Sequence, residues 1–244
     1  EAVAPTPAGG VSPMDFWLLD GFIYLALLTS PHFCAAIALL LSIFLLLLRR
    51  PEGPSPAESA LALGASLALG IIHPYAMLLA DLLPALYWVT EWLRTRRMAW
   101  RGLAALAVMG LAQLPLLIYD LWVFRQPVFA GWAAQNVTLS PPPSVYLWGY
   151  GVLLILDGVG AVVWIRSREW RVAFPLLWIG LVAVLAYVPW NLQRRFLEGV
   201  QVPLGLLAGV GLAGGLLPLC SHRMRFRWCW LGMALIVALA SMSN

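Results

Sequence analysis

Residues 32–48 read HFCAAIALLLSIFLLLL and are followed at once by Arg49 and Arg50. A run of about 17–25 apolar residues is long enough for a helix to cross the hydrocarbon core of a bilayer. Arginine at the end of such a run is typical of the border between the apolar core and the cytoplasm. This stretch therefore predicts a transmembrane helix, and similar apolar runs recur along the chain.

The composition indicates a polytopic membrane protein. Of the 244 residues, 62% are hydrophobic and 11% are charged, and the mean hydropathy is +0.85. Soluble proteins carry about 25% charged residues. The basic clusters are short and border apolar runs, so membrane topology explains them better than a nucleic-acid partner does. The cysteines have no paired spacing and predict neither disulfides nor a zinc site; they are Cys34, Cys220 and Cys229.

Seven apolar runs, with a possible eighth at residues 228–240, predict an all-α transmembrane helical bundle. Residues 15–29 are apolar but carry Asp20, which favours an external helix lying at the membrane interface. We therefore expect an external segment at residues 1–31 and a transmembrane domain at residues 32–244. The chain begins with Glu1, and we expect it to be the later part of a longer protein. The seven runs cover residues 32–48, 60–72, 75–93, 102–124, 144–165, 172–190 and 200–219.

The arginines predict the orientation of the chain. Twelve of the fifteen follow the first, third, fifth and seventh runs, and three lie on the opposite side. Because short cytoplasmic loops carry the excess of basic residues, the twelve are expected in the cytoplasm. The chain is therefore predicted to be a multi-pass protein of the plasma (inner) membrane. The three external arginines are Arg125, Arg194 and Arg195.

Arg194 and Arg195 are adjacent charges on the side that basic residues usually avoid. The planar guanidinium group binds phosphate through two donors, so the pair predicts a lipid-phosphate site at the external surface. The alternative interpretation is an interfacial anchor, in which Glu198 lies four residues after Arg194 as a helical partner. Adjacent helical residues do not share a face. One arginine would then bind the anion while the other pairs with Glu198.

Further polar residues are expected at the same external ends of the runs. Two histidines each adjoin a proline, and at equal depth they would serve as metal ligands, as a proton relay or simply as helix caps. Two carboxylates near the start of the chain would complete an acidic rim. No cofactor is predicted, a divalent metal is left open, and no catalytic residue is assigned. These residues are His32, His73, Asp15 and Asp20.

Asp157 is the most deeply placed charge, near the middle of the fifth run. A carboxylate at that depth costs about 2.5–3.5 kcal/mol on insertion scales. It should therefore face protein or water, either in an ion pathway or as a hydrogen-bonded structural residue. Asp81 and Gln113 also lie within runs. Two pairs of glycines spaced by four predict close helix packing in the seventh run; they are Gly205 with Gly209 and Gly211 with Gly215.

Three short motifs resemble the later membrane half of the C-type polytopic glycosyltransferases, which include the protein mannosyltransferases and the lipid A aminoarabinose transferases. The first is an external Pro-Met-Asp-Phe-Trp segment at residues 13–17, before Ser-Pro-His-Phe at residues 30–33. The second is the His73-Pro74 hairpin between short runs. The third is Gln193-Arg194-Arg195-Phe196 at an external end. The resemblance covers most of the chain in layout.

The resemblance implies an enzyme that transfers a sugar from a polyprenyl-phosphate donor at the external face of a cell-envelope membrane. It also implies that Arg194 and Arg195 contact the phosphate of the donor. The catalytic carboxylate of that family lies in an upstream loop that has no match here, so no catalytic residue is carried over. Two other classes stay open. A transporter or permease would use Asp157, and a non-catalytic membrane subunit would keep the arginines as anchors.

Overall fold

The computed structural model describes residue 21 and residues 30–135, 137–167 and 173–218. The described residues form α-helices with two short segments of other helical type, and they contain no strand, so the predicted all-α class is confirmed for this part of the chain. A 3₁₀ helix at Gln193–Leu197 precedes the last α-helix, and a π-helical segment at Gly211–Leu216 follows it. The α-helices are α1 (Pro31–Leu48), α2 (Pro56–Ile72), α3 (Ala76–Thr95), α4 (Trp100–Val123), α5 (Pro127–Gln135), α6 (Pro143–Ser167), α7 (Ala173–Leu185) and α8 (Gln201–Val210).

Five helical stretches in the described residues are long and apolar enough to cross a membrane. They are α1, α3, α4, α6 and the run Gln193–Leu216, while α2 and α7 are shorter apolar helices of 17 and 13 residues. The predicted interfacial helix at 15–29 and the possible eighth run at 228–240 lie outside the described residues, apart from Gly21.

Helix α2 begins one turn before the predicted apolar run. Its first turn carries a capping box, in which the Ser55 hydroxyl accepts a hydrogen bond from the Glu58 N–H at 3.3 Å. The Glu58 carboxylate in turn accepts from the Ser55 N–H at 2.7 Å. These bonds satisfy amides that have no partner inside the helix, and Pro56 fits the first position because it has no amide to satisfy. The loop before α2 is therefore shorter than the composition predicts.

Two other boundaries differ from the sequence prediction. The predicted polar loop at 125–143 contains helix α5, because an apolar run follows Pro127 and proline is favoured at a helix start. Helix α7 ends at Leu185 and not at Trp190. Pro189 disfavours helical geometry at the residue before it, and the chain turns there, with the Trp190 N–H donating to the Val188 carbonyl at 2.7 Å.

Contacts divide the chain into two compact units. Unit A comprises Leu27–Leu139 and Leu185–Glu198, and therefore holds α1–α5 and the 3₁₀ helix. In unit A, α1 packs against α2 and α3, and α4 packs against both α2 and α3. Its core is made of leucine, isoleucine and tryptophan side chains at most 2% exposed. They include Leu40, Ile43, Leu47, Leu69, Leu79, Leu83 and Trp88.

Unit B comprises Glu1–Ala26, Ser140–Val184 and Gly199–Asn244, and its described part is built on α6 packed along α8 and the π-helical segment. The backbones approach closely, because a Cβ atom at Gly160 would collide with the Leu207 carbonyl and one at Gly211 with the Leu156 carbonyl. The packing role predicted for Gly211 is thus confirmed. Gly205 and Gly209 were predicted to pack in the same way. That prediction is wrong within the described residues, where a Cβ at either position meets no heavy atom within 4 Å.

Helix α6 is broken at Gly151, where φ is 33° and ψ is −109°. A positive φ of this kind is open to glycine and strained for other residues. The fifth predicted run is therefore two helical pieces, and Asp157 lies six residues beyond the break.

Candidate functional site

The arginine pair lies on the 3₁₀ helix Gln193–Leu197, and three hydrogen bonds fix the chain around it. The Gln193 side-chain amide donates to the Val188 carbonyl at 2.6 Å. The Arg194 N–H donates to the Thr138 carbonyl at 3.0 Å, and the Thr138 N–H donates to the Asn191 carbonyl at 2.7 Å. Within unit A, the segment is thereby tied to the loop that follows α5. These contacts fix the backbone of the segment that carries Arg194 and Arg195.

Glu198, directly after the 3₁₀ helix, is in buried contact with His73, directly after α2, and the two form an ion pair when His73 is protonated. Their side chains are 2% and 5% exposed. The His73 N–H donates to the Leu69 carbonyl at 2.7 Å, and the His73 ring lies 5.1 Å from the ring of Phe33. The sequence predicted Glu198 as an i,i+4 partner of Arg194 in an α-helix. Because the 3₁₀ helix ends at Leu197, that spacing does not apply, and the structure pairs Glu198 with His73.

His32 and His73 lie at the same end of unit A, as predicted, with ring centroids 6.4 Å apart. His73 is buried whereas His32 is exposed. In the part of the chain that the structure describes, no three His, Cys, Asp or Glu side chains come together as metal ligands would. The structure thus gives His73 an ion-pair role, and Asp15 and Asp20 lie outside the described residues.

A cavity of about 750 Å³ opens beside this pair, between α3, α4 and the segment Trp190–Phe196. Its walls are mostly apolar, with leucines of α4 such as Leu114 and Leu117 on one side. Pro74 and Tyr75, which follow His73, line the opposite side. Arg194 and Arg195 are not among its wall residues, although Leu192 and Phe196 on either side of them are. The arginines therefore neighbour the cavity without forming its wall.

Polar groups occur at two levels of the cavity. Near its mouth lie Tyr75, Asp120 and Asn191. Asp81 and Gln113 lie deeper, since Gln113 precedes Asp120 by seven residues, or about 10.5 Å along an α-helix. Each level therefore offers at least one carboxylate and one amide to a ligand.

The deeper level contains a buried hydrogen bond between two helices, with a carboxylate from a third beside it. The Gln113 amide of α4 donates to the Ser66 hydroxyl of α2 at 2.5 Å, and the Asp81 carboxylate of α3 lies next to Gln113. Gln113 is 6% exposed and Ser66 is fully buried. The Gln113–Ser66 bond compensates part of the cost of polar groups inside an apolar helical unit. The sequence prediction of Asp81 and Gln113 as intramembrane polar residues did not include Ser66.

Tyr75 connects the arginine segment to the cavity mouth. Tyr75 is partly buried, and the charges of Arg195 and Asp120 lie in the surroundings of its hydroxyl. Tyr75 and Asp120 line the apolar cavity, and Arg195 belongs to the segment beside it. Such an entrance can receive a phosphate at Arg195 and a hydrogen-bond donor at Asp120.

Asp157 belongs to unit B and is 7% exposed, as expected for a carboxylate deep in an apolar helix. Its carboxylate lies beside the backbone of Ala208 in α8, and among the described residues neither of its oxygens has a hydrogen-bond partner. It therefore faces the neighbouring helix within its own unit, and it is not part of the cavity.

Sequence reasoning missed Tyr75, Asp120 and Asn191. A sequence pattern could have identified Asp120, because its seven-residue spacing from Gln113 places both residues on one face of α4. No such pattern points to Tyr75 or Asn191, since each lies in a short connection and the residues around it in the fold are far away in sequence. Arg194 and Arg195 were predicted because of the uneven distribution of arginines between the two sides of the membrane, and not because of any predicted contact.

No protein-family model, curated protein or solved structure matches this chain. The described residues define its class as an all-helical protein with five stretches able to cross a membrane and a cavity beside an arginine pair. Its function therefore has to be inferred from the geometry of that cavity and its entrance.

Proposed function

We propose that this chain is a multi-pass membrane protein that binds a polyprenyl-phosphate-linked sugar at the external face and transfers the sugar. The observation that carries the proposal is the mouth of the cavity, where Tyr75 and Asp120 lie beside apolar walls and the arginine segment borders the cavity through Leu192 and Phe196. A lipid-linked sugar has the same three parts: an apolar chain, a phosphate and hydroxyl groups. The resemblance to C-type glycosyltransferases favours the same class.

The membrane topology is part of this proposal. Helices α2 and α7 cross the bilayer together with the five longer stretches, which gives seven spans in the plasma (inner) membrane. Twelve arginines then lie in the cytoplasm, and Arg125, Arg194 and Arg195 lie outside. The cavity mouth is on the external side, because Tyr75 follows the end of α2 that is opposite the Arg49–Arg50 loop.

The phosphate of the donor contacts Arg194 and Arg195. A guanidinium–phosphate contact near the interface is stronger than one in bulk water because the local dielectric constant is lower. The His73–Glu198 contact joins the end of the 3₁₀ helix to the end of α2 and so positions the backbone of the arginine segment. As the acceptor bonds to the anomeric carbon of the sugar, the bond between that carbon and the phosphate oxygen breaks, and the arginines stabilise the released phosphate.

The isoprenoid chain lies against the leucines of α4, and the sugar lies at the mouth. The hydroxyl groups of a sugar donate hydrogen bonds, and Asp120 and Asn191 offer acceptors for them. The acceptor substrate and the catalytic base are not assigned to residues of this chain.

Binding of polyprenyl phosphate to the purified protein tests the proposal, with phosphate-free polyprenol of the same length as the reference ligand. Arg194→Ala and Arg195→Ala should each weaken phosphate binding by roughly tenfold, since a hydrogen bond to a charged group contributes about 1.5 kcal/mol or more. Lysine at either position keeps the charge but loses the two-donor fork, so binding should weaken by a smaller factor.

Arg125→Ala is the control, because Arg125 is the remaining arginine on the same predicted side and is exposed, whereas Arg194 and Arg195 are partly buried. It should bind the phosphate like the parent. Equal binding by the parent and the Arg194→Ala/Arg195→Ala double variant would show that the arginines are interfacial anchors and would remove the proposal.

A transporter is the second candidate, and one observation favours it. Helix α6 is broken at Gly151, six residues before the buried Asp157, and interrupted helices near a buried carboxylate occur in secondary transporters. Proton uptake into proteoliposomes by the parent but not by Asp157→Asn would favour transport over sugar transfer.

A further inference from the structure

A second groove lies in unit A at the opposite end from the cavity, between the first turns of α2 and of α4. Its volume is about 550 Å³. Ser59, Ala60 and Leu63 line it from α2, and Ala105 and Val108 line it from α4. Leu63 follows Ala60 by three residues and Ser59 by four, and Val108 follows Ala105 by three, so the lining positions of each helix share one face. The groove is thus an apolar cleft between two helices, and small alanine side chains form part of its wall.

Arg101 lies at the polar end of this groove. Its side chain is exposed, and among the residues that the structure describes it forms no ion pair. The nearest acidic residue of α2 is already engaged, because Glu58 pairs with Arg50 at 3.3 Å.

The hydroxyl of Ser55 lines the same end. It accepts a hydrogen bond from the Glu58 N–H, and its own proton remains able to donate. The polar end of the groove therefore presents a cation and a hydroxyl donor, while the remainder presents methyl and methylene groups. An anion with an apolar chain matches both parts.

We propose that this groove binds an anionic phospholipid, with the headgroup phosphate at Arg101 and Ser55 and an acyl chain along Leu63, Ala105 and Val108. The groove lies at the arginine-rich end of unit A, where Arg49, Arg50 and Arg97 add positive charge. Basic grooves between helices on the cytoplasmic side of a membrane suit anionic headgroups. The site is separate from the cavity and does not depend on sugar transfer.

Lipid retention by the full chain tests this site. Dioleoyl phosphatidylglycerol and dioleoyl phosphatidylcholine have the same acyl chains, and native mass spectrometry counts how much of each stays bound. The parent should retain more phosphatidylglycerol. Arg101→Gln should reduce that excess about fivefold, as expected from loss of one basic residue at a charged membrane surface. Ala105→Trp fills the apolar part without changing the charge and should displace the lipid as well.

Arg97→Gln is the matched control, because Arg97 is an exposed arginine in the connection just before α4 and does not line the groove. It should retain phosphatidylglycerol to within about twofold of the parent, since a charge outside the groove adds only a screened attraction. Equal losses for Arg97→Gln and Arg101→Gln would show general attraction to the basic surface and overturn the site. Unchanged retention by Ala105→Trp, or equal binding of the two lipids by the parent, would overturn it too.

Discussion

His73 and Glu198 are the two residues that most directly fix the arginine segment. Each is almost fully buried, and each follows the last residue of a helical element. A buried ion pair has a high desolvation cost, and its net contribution to stability is often small. Its effect here is geometric, because it joins the end of α2 to the end of the 3₁₀ helix.

Removing one partner of this pair should be costly. We expect His73→Ala and Glu198→Ala each to lower the free energy of unfolding by about 1–3 kcal/mol, since each removes a buried polar contact of the other side chain. The double variant should lose less than the sum of the two single losses. Denaturant unfolding in detergent measures all three, with exposed Arg125→Ala as the control. Single variants within about 0.5 kcal/mol of the parent would contradict the role given to the pair.

At the residue scale, the sequence predicted the charges and not their partners. Arg194 and Arg195 were recognised because membrane topology makes external arginines unusual. The partnership of Glu198 with His73 joins positions that are far apart in the chain, and nothing in local spacing indicates it. One signal among these residues was overlooked. Asp120 follows Gln113 by seven residues, which places both side chains on the same face of α4.

Among the elements, α6 depends on glycine where it meets α8. Gly160 is in direct contact with the Leu207 carbonyl, whereas a Cβ at Gly158 in the same helix meets no described atom within 4 Å. A side chain is therefore excluded at Gly160 but has room at Gly158, although the two glycines are only two residues apart.

This contrast gives a matched pair of variants. Gly160→Ala should lower the free energy of unfolding by about 1–3 kcal/mol, because the added methyl group forces the two helices apart. Gly158→Ala should be neutral or raise it by up to about 1 kcal/mol, as alanine favours a helix over glycine. Thermal unfolding of both variants in the same detergent checks this. Equal effects of the two substitutions would mean that α6 and α8 do not pack as closely as the structure places them.

Element boundaries were predictable where hydrophobicity alone sets them. Helix α1 begins within one residue of the predicted run, because its whole length is apolar. Helix α2 begins earlier than predicted because a capping box, and not hydrophobicity, decides its start. The Ser55-Pro-Ala-Glu58 pattern was visible in the sequence, and it marks a helix start just before the apolar run. The break at Gly151 was not predicted, and a Cβ there meets no described atom within 4 Å that would explain it. The π-helical segment was not predicted either, and its Gly211 lies against the backbone of α6.

For the whole molecule, the arginine asymmetry predicts which loops face the cytoplasm. Single cysteines at Ser140 and Ser167 flank α6, in a background where the three native cysteines are replaced. Because α6 is proposed to span the bilayer, an impermeant thiol reagent added outside intact cells should label Ser140→Cys and not Ser167→Cys. Permeabilised cells should show labelling at both positions, which controls for accessibility. Labelling of both from the outside would contradict the orientation.

The class of fold was predictable for the whole molecule because long apolar runs have few other structural solutions. The candidate site was predictable only in part. Its arginines were predicted because they lie on the side of the membrane that basic residues usually avoid. The cavity was not predicted, because it is a space between α3, α4 and a segment distant in sequence, and no local pattern specifies such a space. The division into seven spans and the boundary at residue 31 stay predictions.

The central claim is that the cavity and the arginine segment together hold a lipid phosphate. Its most direct test is photocrosslinking of the purified chain with a polyprenyl phosphate that carries a benzophenone in its isoprenoid chain. We expect adducts on the cavity face of α4, at Leu114, Leu117 or Leu121, which unlabelled polyprenyl phosphate displaces and Arg194→Ala with Arg195→Ala abolishes. Adducts confined to other faces of the protein, or an undiminished yield in the double variant, would contradict the account.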